Sequence, residues 1–201
     1  MFLLSSFEVI GTIAFTISGA LVGIEKKLDL FGIIFLSITT AVGGGIYRDI
    51  IIGRTPPIAF ANPTSSIISI ITALIVFACN EKVGRFQKVI TISDALGLGV
   101  FTAIGCRTAV LHGANNGFLV IAMGLGTGVG GGILRDVFVK NIPFILKKDI
   151  YAVASIIGAL CYYHIHSYLP DILSLYICFA IIFIIRIISI KYKLNLPVRK
   201  N

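Results

Sequence analysis

Apolar residues run along this chain in long unbroken blocks, and polar positions gather between the blocks rather than alternating with them. Blocks at 4–24, 30–52, 65–80, 93–111, 117–139, 150–168 and 171–190 are each bounded by charges or by Gly, Pro and Asn. A helix that crosses a hydrocarbon layer of about 30 Å needs about 20 apolar residues. The blocks therefore predict an all-α integral membrane protein of seven transmembrane helices, with little chain left for anything else. The third block, Thr64 to Cys79, is the shortest, and the last, Ile172 to Ile190, is the most uniformly apolar. The first block is not read as a secretory signal, because it lacks a basic leading region and carries Glu8.

Composition agrees with that reading. Of 201 residues, 57% are hydrophobic and 13% charged, with a mean hydropathy of +0.99, more apolar sequence than a water-soluble core requires. The formal charge of +8 does not indicate nucleic acid, because the basic residues are spread through short loops and the tail at 191–201 instead of forming one folded face. Sorted by alternate loops, Lys26, Lys27, Lys82, Arg85, Lys88, Lys140, Lys147, Lys148, Lys191, Lys193, Arg199 and Lys200 fall on one side. The other side has little beyond Arg54 and Arg107. The positive-inside rule then places the N-terminus outside and the C-terminus in the cytoplasm.

Few features point to catalysis or a bound cofactor. Cys79, Cys106, Cys161 and Cys178 lie in or beside apolar runs with no CxxC spacing, so neither zinc nor a disulfide framework is expected. His112, His164 and His166 stand at block ends without ligand spacing or a triad. Gly126-x-Gly128-x-x-Gly131 meets the dinucleotide spacing, but it lies inside an apolar block with no preceding strand. The chain reads as a non-enzyme without a cofactor.

An internal repeat carries more information. Thr40-Ala-Val-Gly43-Gly44-Gly45-Ile-Tyr-Arg48-Asp49 matches Thr127-Gly-Val-Gly130-Gly131-Gly132-Ile-Leu-Arg135-Asp136 at an offset of 87 residues. Pro56 pairs with Pro143 at the same offset. At an offset of 86, Glu8 pairs with Asp94, Gly11 with Gly97, Phe15-Thr16 with Phe101-Thr102 and Gly19 with Gly105. Residues 4–80 thus repeat as 93–168, with 171–190 outside the repeat. Three crossings is an odd number, so the second copy enters the membrane from the opposite side. Such inverted repeats recur in transporters and channels, whose sites lie near the midplane between interrupted helices.

Each glycine triplet has two readings: close helix packing of the small-xxx-small kind, or a kink or unwound turn lining a cavity, which two equivalent triplets followed by Arg-Asp favour. Thr40 and Thr127 are candidate cation ligands, with intrahelical capping as the competing role. Arg48, Asp49, Arg135 and Asp136 form a candidate intramembrane charge clamp. Neighbours on a helix do not face each other, so Arg48 is expected near Asp136 and Arg135 near Asp49, or each pair is expected to tie down the following Pro-containing loop. Glu8 and Asp94 read as anions at helix N-termini in preference to an ion-attracting role.

The doubled Gly-Gly-Gly-Ile-x-Arg-Asp motif, the 3+3+1 arrangement and the size resemble the prokaryotic trimeric intracellular cation (TRIC) channels, a family that also carries the name of a glycine transporter. The resemblance covers essentially the whole chain. It implies a homotrimer in a prokaryotic inner membrane, surrounded by lipid, with a pore in each subunit for monovalent cations, mainly potassium. It also implies that Gly43–Gly45 and Gly130–Gly132 kink the second and fifth spans around that pore. The Lys-Glu-Val signature of animal members is replaced by Arg-Asp here, so their gating is not carried over. A secondary carrier for a small solute such as glycine is the alternative, and a non-transporting membrane scaffold is a third.

Overall fold

The computed structural model describes residues 2–79, 86–114, 116–147 and 150–195. Lys82, Arg85, Lys148, Arg199 and Lys200 lie outside the described residues. Nine helices form among those described: α1 (Phe2–Glu25), α2 (Leu30–Ile51), α3 (Ile58–Ala61), α4 (Thr64–Ala78), α5 (Phe86–Leu111), α6 (Gly117–Phe138), α7 (Phe144–Lys147), α8 (Tyr151–Ile165) and α9 (Asp171–Tyr192). Five of them, α1, α2, α5, α6 and α9, are long and apolar enough to cross a membrane, whereas α4 and α8 are shorter apolar helices of 15 residues.

Several helices begin where caps or prolines supply what the backbone needs. Asp29 accepts the Gly32 amide at 2.7 Å to start α2, and Asn116 accepts the Leu119 amide at 3.0 Å to start α6. Each cap satisfies an amide that has no partner within its own helix. The four-residue helices α3 and α7 follow directly on Pro57 and Pro143. Hydropathy blocks do not predict such short elements. They also correct the repeat alignment: Pro57, not Pro56, holds the place of Pro143, so the first copy has one extra residue in this loop.

Two expected boundaries shift. Helix α5 starts at Phe86 rather than near 93, and α1 reaches back to Phe2. Glu8 and Asp94 therefore lie well inside their helices and are not N-terminal anions. The polar run of Gln87, Lys88 and Thr91 masked the early start of α5. Gln87 is itself anchored there, donating to both Glu25 carboxylate oxygens at 2.9 Å.

At the centre, α1 and α5 run antiparallel. Phe15 meets Gly97, Gly11 meets Val100 and Phe101, and Ser18 meets Asp94. Paired hydroxyls tie the first helix of each copy to its third: Thr16 donates to Ser69 at 3.0 Å, and Thr102 lies 2.8 Å from Ser155. All four are buried, where a polar group without a partner is costly.

Helices α2 and α6 cross at the glycine triplets. The expected unwound turn is absent, because residues 43–45 and 130–132 are α-helical throughout. Closeness takes its place. A Cβ on Gly44 would overlap the Thr127 carbonyl oxygen, a Cβ on Gly131 would overlap the Thr40 carbonyl oxygen, and one on Gly130 would stand 3.0 Å from the Gly44 Cα. The missing side chains let two backbones touch, as small residues do in membrane helix packing, and the carbonyls stay within their helices.

Gly44→Ala and Gly131→Ala are each expected to destabilise the protein by about 1–3 kcal/mol through overpacking. Gly45→Ala meets only the Arg48 Nη2 atom, at 3.9 Å, and is expected to be neutral or slightly stabilising. Thermal unfolding of the three variants in detergent distinguishes them, and equal midpoints for Gly44→Ala and Gly45→Ala would refute the contact.

Candidate functional site

The two Arg-Asp motifs sit in the last turns of α2 and α6, and all four side chains are buried. The cross-axis pairs expected between Arg48 and Asp136 and between Arg135 and Asp49 do not form. Each arginine instead folds back onto its own neighbour: Arg48 Nε lies 2.9 Å from Asp49 Oδ1, and Arg135 Nε lies 2.8 Å from Asp136 Oδ1. An arginine side chain is long enough to curl around the end of a helix, so the rule that adjacent residues diverge does not bind it there. The other oxygen of each aspartate accepts the first amide of the short helix that follows, Ile58 at 2.8 Å and Phe144 at 2.9 Å. The motif thus closes a loop within its own copy.

Beyond this common plan the two copies differ. Arg135 Nη1 also reaches Asp94 Oδ1 at 2.6 Å and Ser18 at 2.5 Å, and its guanidinium stacks 5.1 Å over the Phe144 ring. Gly132 leaves the space in which these groups meet, since a Cβ there would face the Tyr151 hydroxyl, Asp94 and Arg135 between 3.5 and 3.9 Å away. The crevice among Gly132, Arg135, Asp136, Phe144 and Tyr151 has no room for a water molecule. Arg135 is 0% exposed and Asp94 1%, so this knot is sealed, and its charges are held by direct pairing.

At the other end Glu8, the repeat counterpart of Asp94, makes no equivalent bond to Arg48. A cavity of about 30 Å³ lies there, lined by Glu8, Thr12, Arg48, Asp49 and Ser65, with Phe101 among its walls. That volume holds a water molecule. Two carboxylates face one guanidinium, giving this end a net negative lining. A larger cleft of about 490 Å³ beside the α2–α6 crossing is lined by Gly43, Tyr47, Leu125, Gly126, Gly130, Leu134 and neighbours. It carries no charge and offers an ion little besides the Tyr47 hydroxyl.

Thr40 and Thr127 stand at the crossing rather than on a cavity. Their hydroxyls donate to the Leu36 and Met123 carbonyls, each at 2.6 Å, and pack 2.8 and 2.7 Å from where a Cβ would stand on Gly19 and Gly105. Both are fully buried. Intrahelical capping, the competing role, is the one this geometry contains.

Sequence reasoning missed Arg186. It interrupts α9, the block read as most uniformly apolar, and lies buried with its guanidinium 4.7 Å over the Tyr151 ring. An intramembrane arginine is by itself a signal, and here it ties the helix outside the repeat to the sealed knot. Ser18 and Tyr151 carry no motif and become visible only once α1, α5 and α8 pack together. Among the described residues, no group of three His, Cys, Asp or Glu side chains is placed to hold a metal ion.

Comparison with known proteins agrees with this architecture. A family model described as "Glycine transporter" matches the chain twice, over residues 5–81 and 91–167. The UPF0126 inner membrane protein YadS of Escherichia coli K12 is 34% identical over 194 residues, covering 94% of this chain and 93% of that protein. A UPF0126 membrane protein of Deinococcus radiodurans is 38% identical over 154 residues, covering 76% and 71%. Among solved structures, a prokaryotic TRIC channel crystallised in 0.5 M KCl superposes with a TM-score of 0.91 at 38% identity, covering 98% of this chain and all 100% of that one. The trimeric intracellular cation channel orthologue from Rhodobacter sphaeroides gives 0.88 at 32% identity, covering 96% and 100%. The chain belongs to this family of prokaryotic TRIC-type, glycine-transporter-labelled proteins, and it is a multi-pass protein of the bacterial inner membrane.

Asp94→Ala is expected to cost about 3–5 kcal/mol, because it strips a fully buried guanidinium of a charge partner. Arg107→Ala breaks the partly exposed 2.7 Å pair with Asp171 and is expected to cost under about 1 kcal/mol. Unfolding midpoints of the purified variants compare the two, and a loss for Asp94→Ala no larger than for Arg107→Ala would contradict the sealed knot.

Proposed function

We propose that this chain is a passive, potassium-preferring cation channel with one path through each subunit, passing between the two copies along α1 and α5 beside the α2–α6 crossing. The observation that carries this reading is the polar file on that line. It runs from Glu8 and Thr12 at the net-negative cavity to Ser18, Asp94 and Arg135 at the sealed end. Buried polar groups of this density in a membrane protein mark ion pathways, and an excess of carboxylates at the mouth favours cations. The solved relatives are described as cation channels, one of them as a trimeric one, which supports a homotrimer.

Seven crossings with the N-terminus outside remain the preferred topology. Helices α4 and α8 span about 22 Å at 1.5 Å per residue, short of the layer, and the preceding α3 and α7 fill out each hairpin. Chain direction and the basic loops support the orientation. A glycine carrier is less well supported, because its expected half-helix N-termini for a carboxylate require breaks that α2 and α6 lack.

Single-channel recording of the reconstituted protein across a KCl gradient tests the proposal. Discrete unitary currents reversing near the potassium equilibrium potential are expected. Glu8→Gln is expected to lower conductance at low salt, with the difference fading as salt screens the mouth. Silent bilayers together with saturable glycine uptake into proteoliposomes would sink it.

A further inference from the structure

The sequence repeat pairs Phe15 with Phe101, and neither ring belongs to a charge knot, although Phe15 lies against the glycine crossing, 3.6 Å from where a Cβ on Gly131 would stand. In the structure the two rings stack on each other, centroids 5.2 Å apart and planes 23° from parallel. Their exposures are 1% and 6%. Each ring is seated on a glycine of the opposite copy. A Cβ on Gly97 would overlap the Phe15 ring, and one on Gly11 would stand 3.2 Å from the Phe101 ring. Gly11 and Gly97 are themselves repeat partners, so the arrangement is reciprocal about the pseudo-twofold axis.

The stack lies on the polar file. Along α1, Thr12, Phe15 and Ser18 follow at three-residue steps on one flank, each about 4.5 Å deeper than the last. Thr12 lines the cavity at the Glu8 end, and Phe101 forms part of that cavity's wall. Ser18 belongs to the sealed knot, where it meets Arg135 and Asp94. The two aromatic rings thus stand between the polar cavity and the sealed knot on this flank. A constriction lined by apolar rings excludes water, and without water an ion does not pass.

We propose that the Phe15–Phe101 stack is the hydrophobic barrier of the path, holding it closed at its midpoint between the water-sized cavity and the inner charge knot. What it bars rests on the channel reading above; that it divides the two compartments does not. Movement of either ring toward the cavity would join them.

The test uses full-length protein in nanodiscs carrying Thr12→Cys or Ser18→Cys, exposed to silver ions, which are small enough for a water-sized cavity, and read by site-resolved mass spectrometry of the thiols left for alkylation after denaturation, so that the native cysteines are counted separately. Cys at 12 is expected to react and Cys at 18 to be protected. Adding Phe15→Ala with Phe101→Ala is expected to speed labelling at 18 by about tenfold or more, while Phe15→Leu with Phe101→Leu keeps it protected. If the double alanine variant does not fold, Phe101→Ala alone carries the comparison, since that ring borders the cavity. Labelling at 18 that is fast in the parent, or unchanged by loss of the rings, would overturn the barrier. In parallel recordings, the alanine variants are expected to raise open probability. A silent parent that nevertheless shows the ring-dependent protection would leave the barrier standing and remove the channel reading.

Discussion

Backbone touches backbone where α2 and α6 cross, and the positions of the other helices follow from that contact. Gly44 under the Thr127 carbonyl and Gly131 under the Thr40 carbonyl are the same contact made twice, which fixes a pseudo-twofold axis through the crossing. With that axis set, α1 and α5 must meet beside it, and the hydroxyl pairs Thr16–Ser69 and Thr102–Ser155 bring α4 and α8 against them. The energy of any one of these contacts is modest. Their geometry is narrow, because a methyl group on Gly44 or Gly131 would overlap an opposing carbonyl oxygen.

The copies share a frame but not an electrostatic state. One arginine is paired twice with carboxylates, capped by an aromatic ring and shut away from water; the other keeps one carboxylate partner and borders a cavity. The difference traces to few substitutions. Asp94 is short and buried where Glu8 is longer and partly exposed, and Ser18 adds a hydroxyl where its counterpart, Ile104, has none. An inverted repeat with two such unlike ends has a direction, which a symmetric one would lack.

Much of the fold was legible because hydropathy responds to the membrane directly, and because a ten-residue signature repeated at fixed spacing leaves few alternatives. The site was legible only in its residue types. Gly43–Gly45 and Gly130–Gly132 read as a break in preference to a contact until the opposing carbonyls are located, since glycine serves both and only the neighbour decides. The pairing of Arg48 with Asp49 defied a rule that holds along a helix and lapses in its last turn. Arg186 was overlooked because an average over a long apolar block hides one charge, although one charge is what needs a partner. Pro57 was passed over for Pro56 because an alignment of letters does not register a loop one residue longer.

The reciprocal seating of Phe15 and Phe101 has an evolutionary consequence. Residues on the axis meet their own duplicates, as residues at the centre of a homodimer do, so in two identical halves a change there would alter both sides of the contact at once. Within one chain each side can vary alone, yet a bulkier ring on one side requires relief on the other, so the two positions are coupled. At the ends of the path, where Glu8 and Asp94 stand, the two copies carry different residues with different partners.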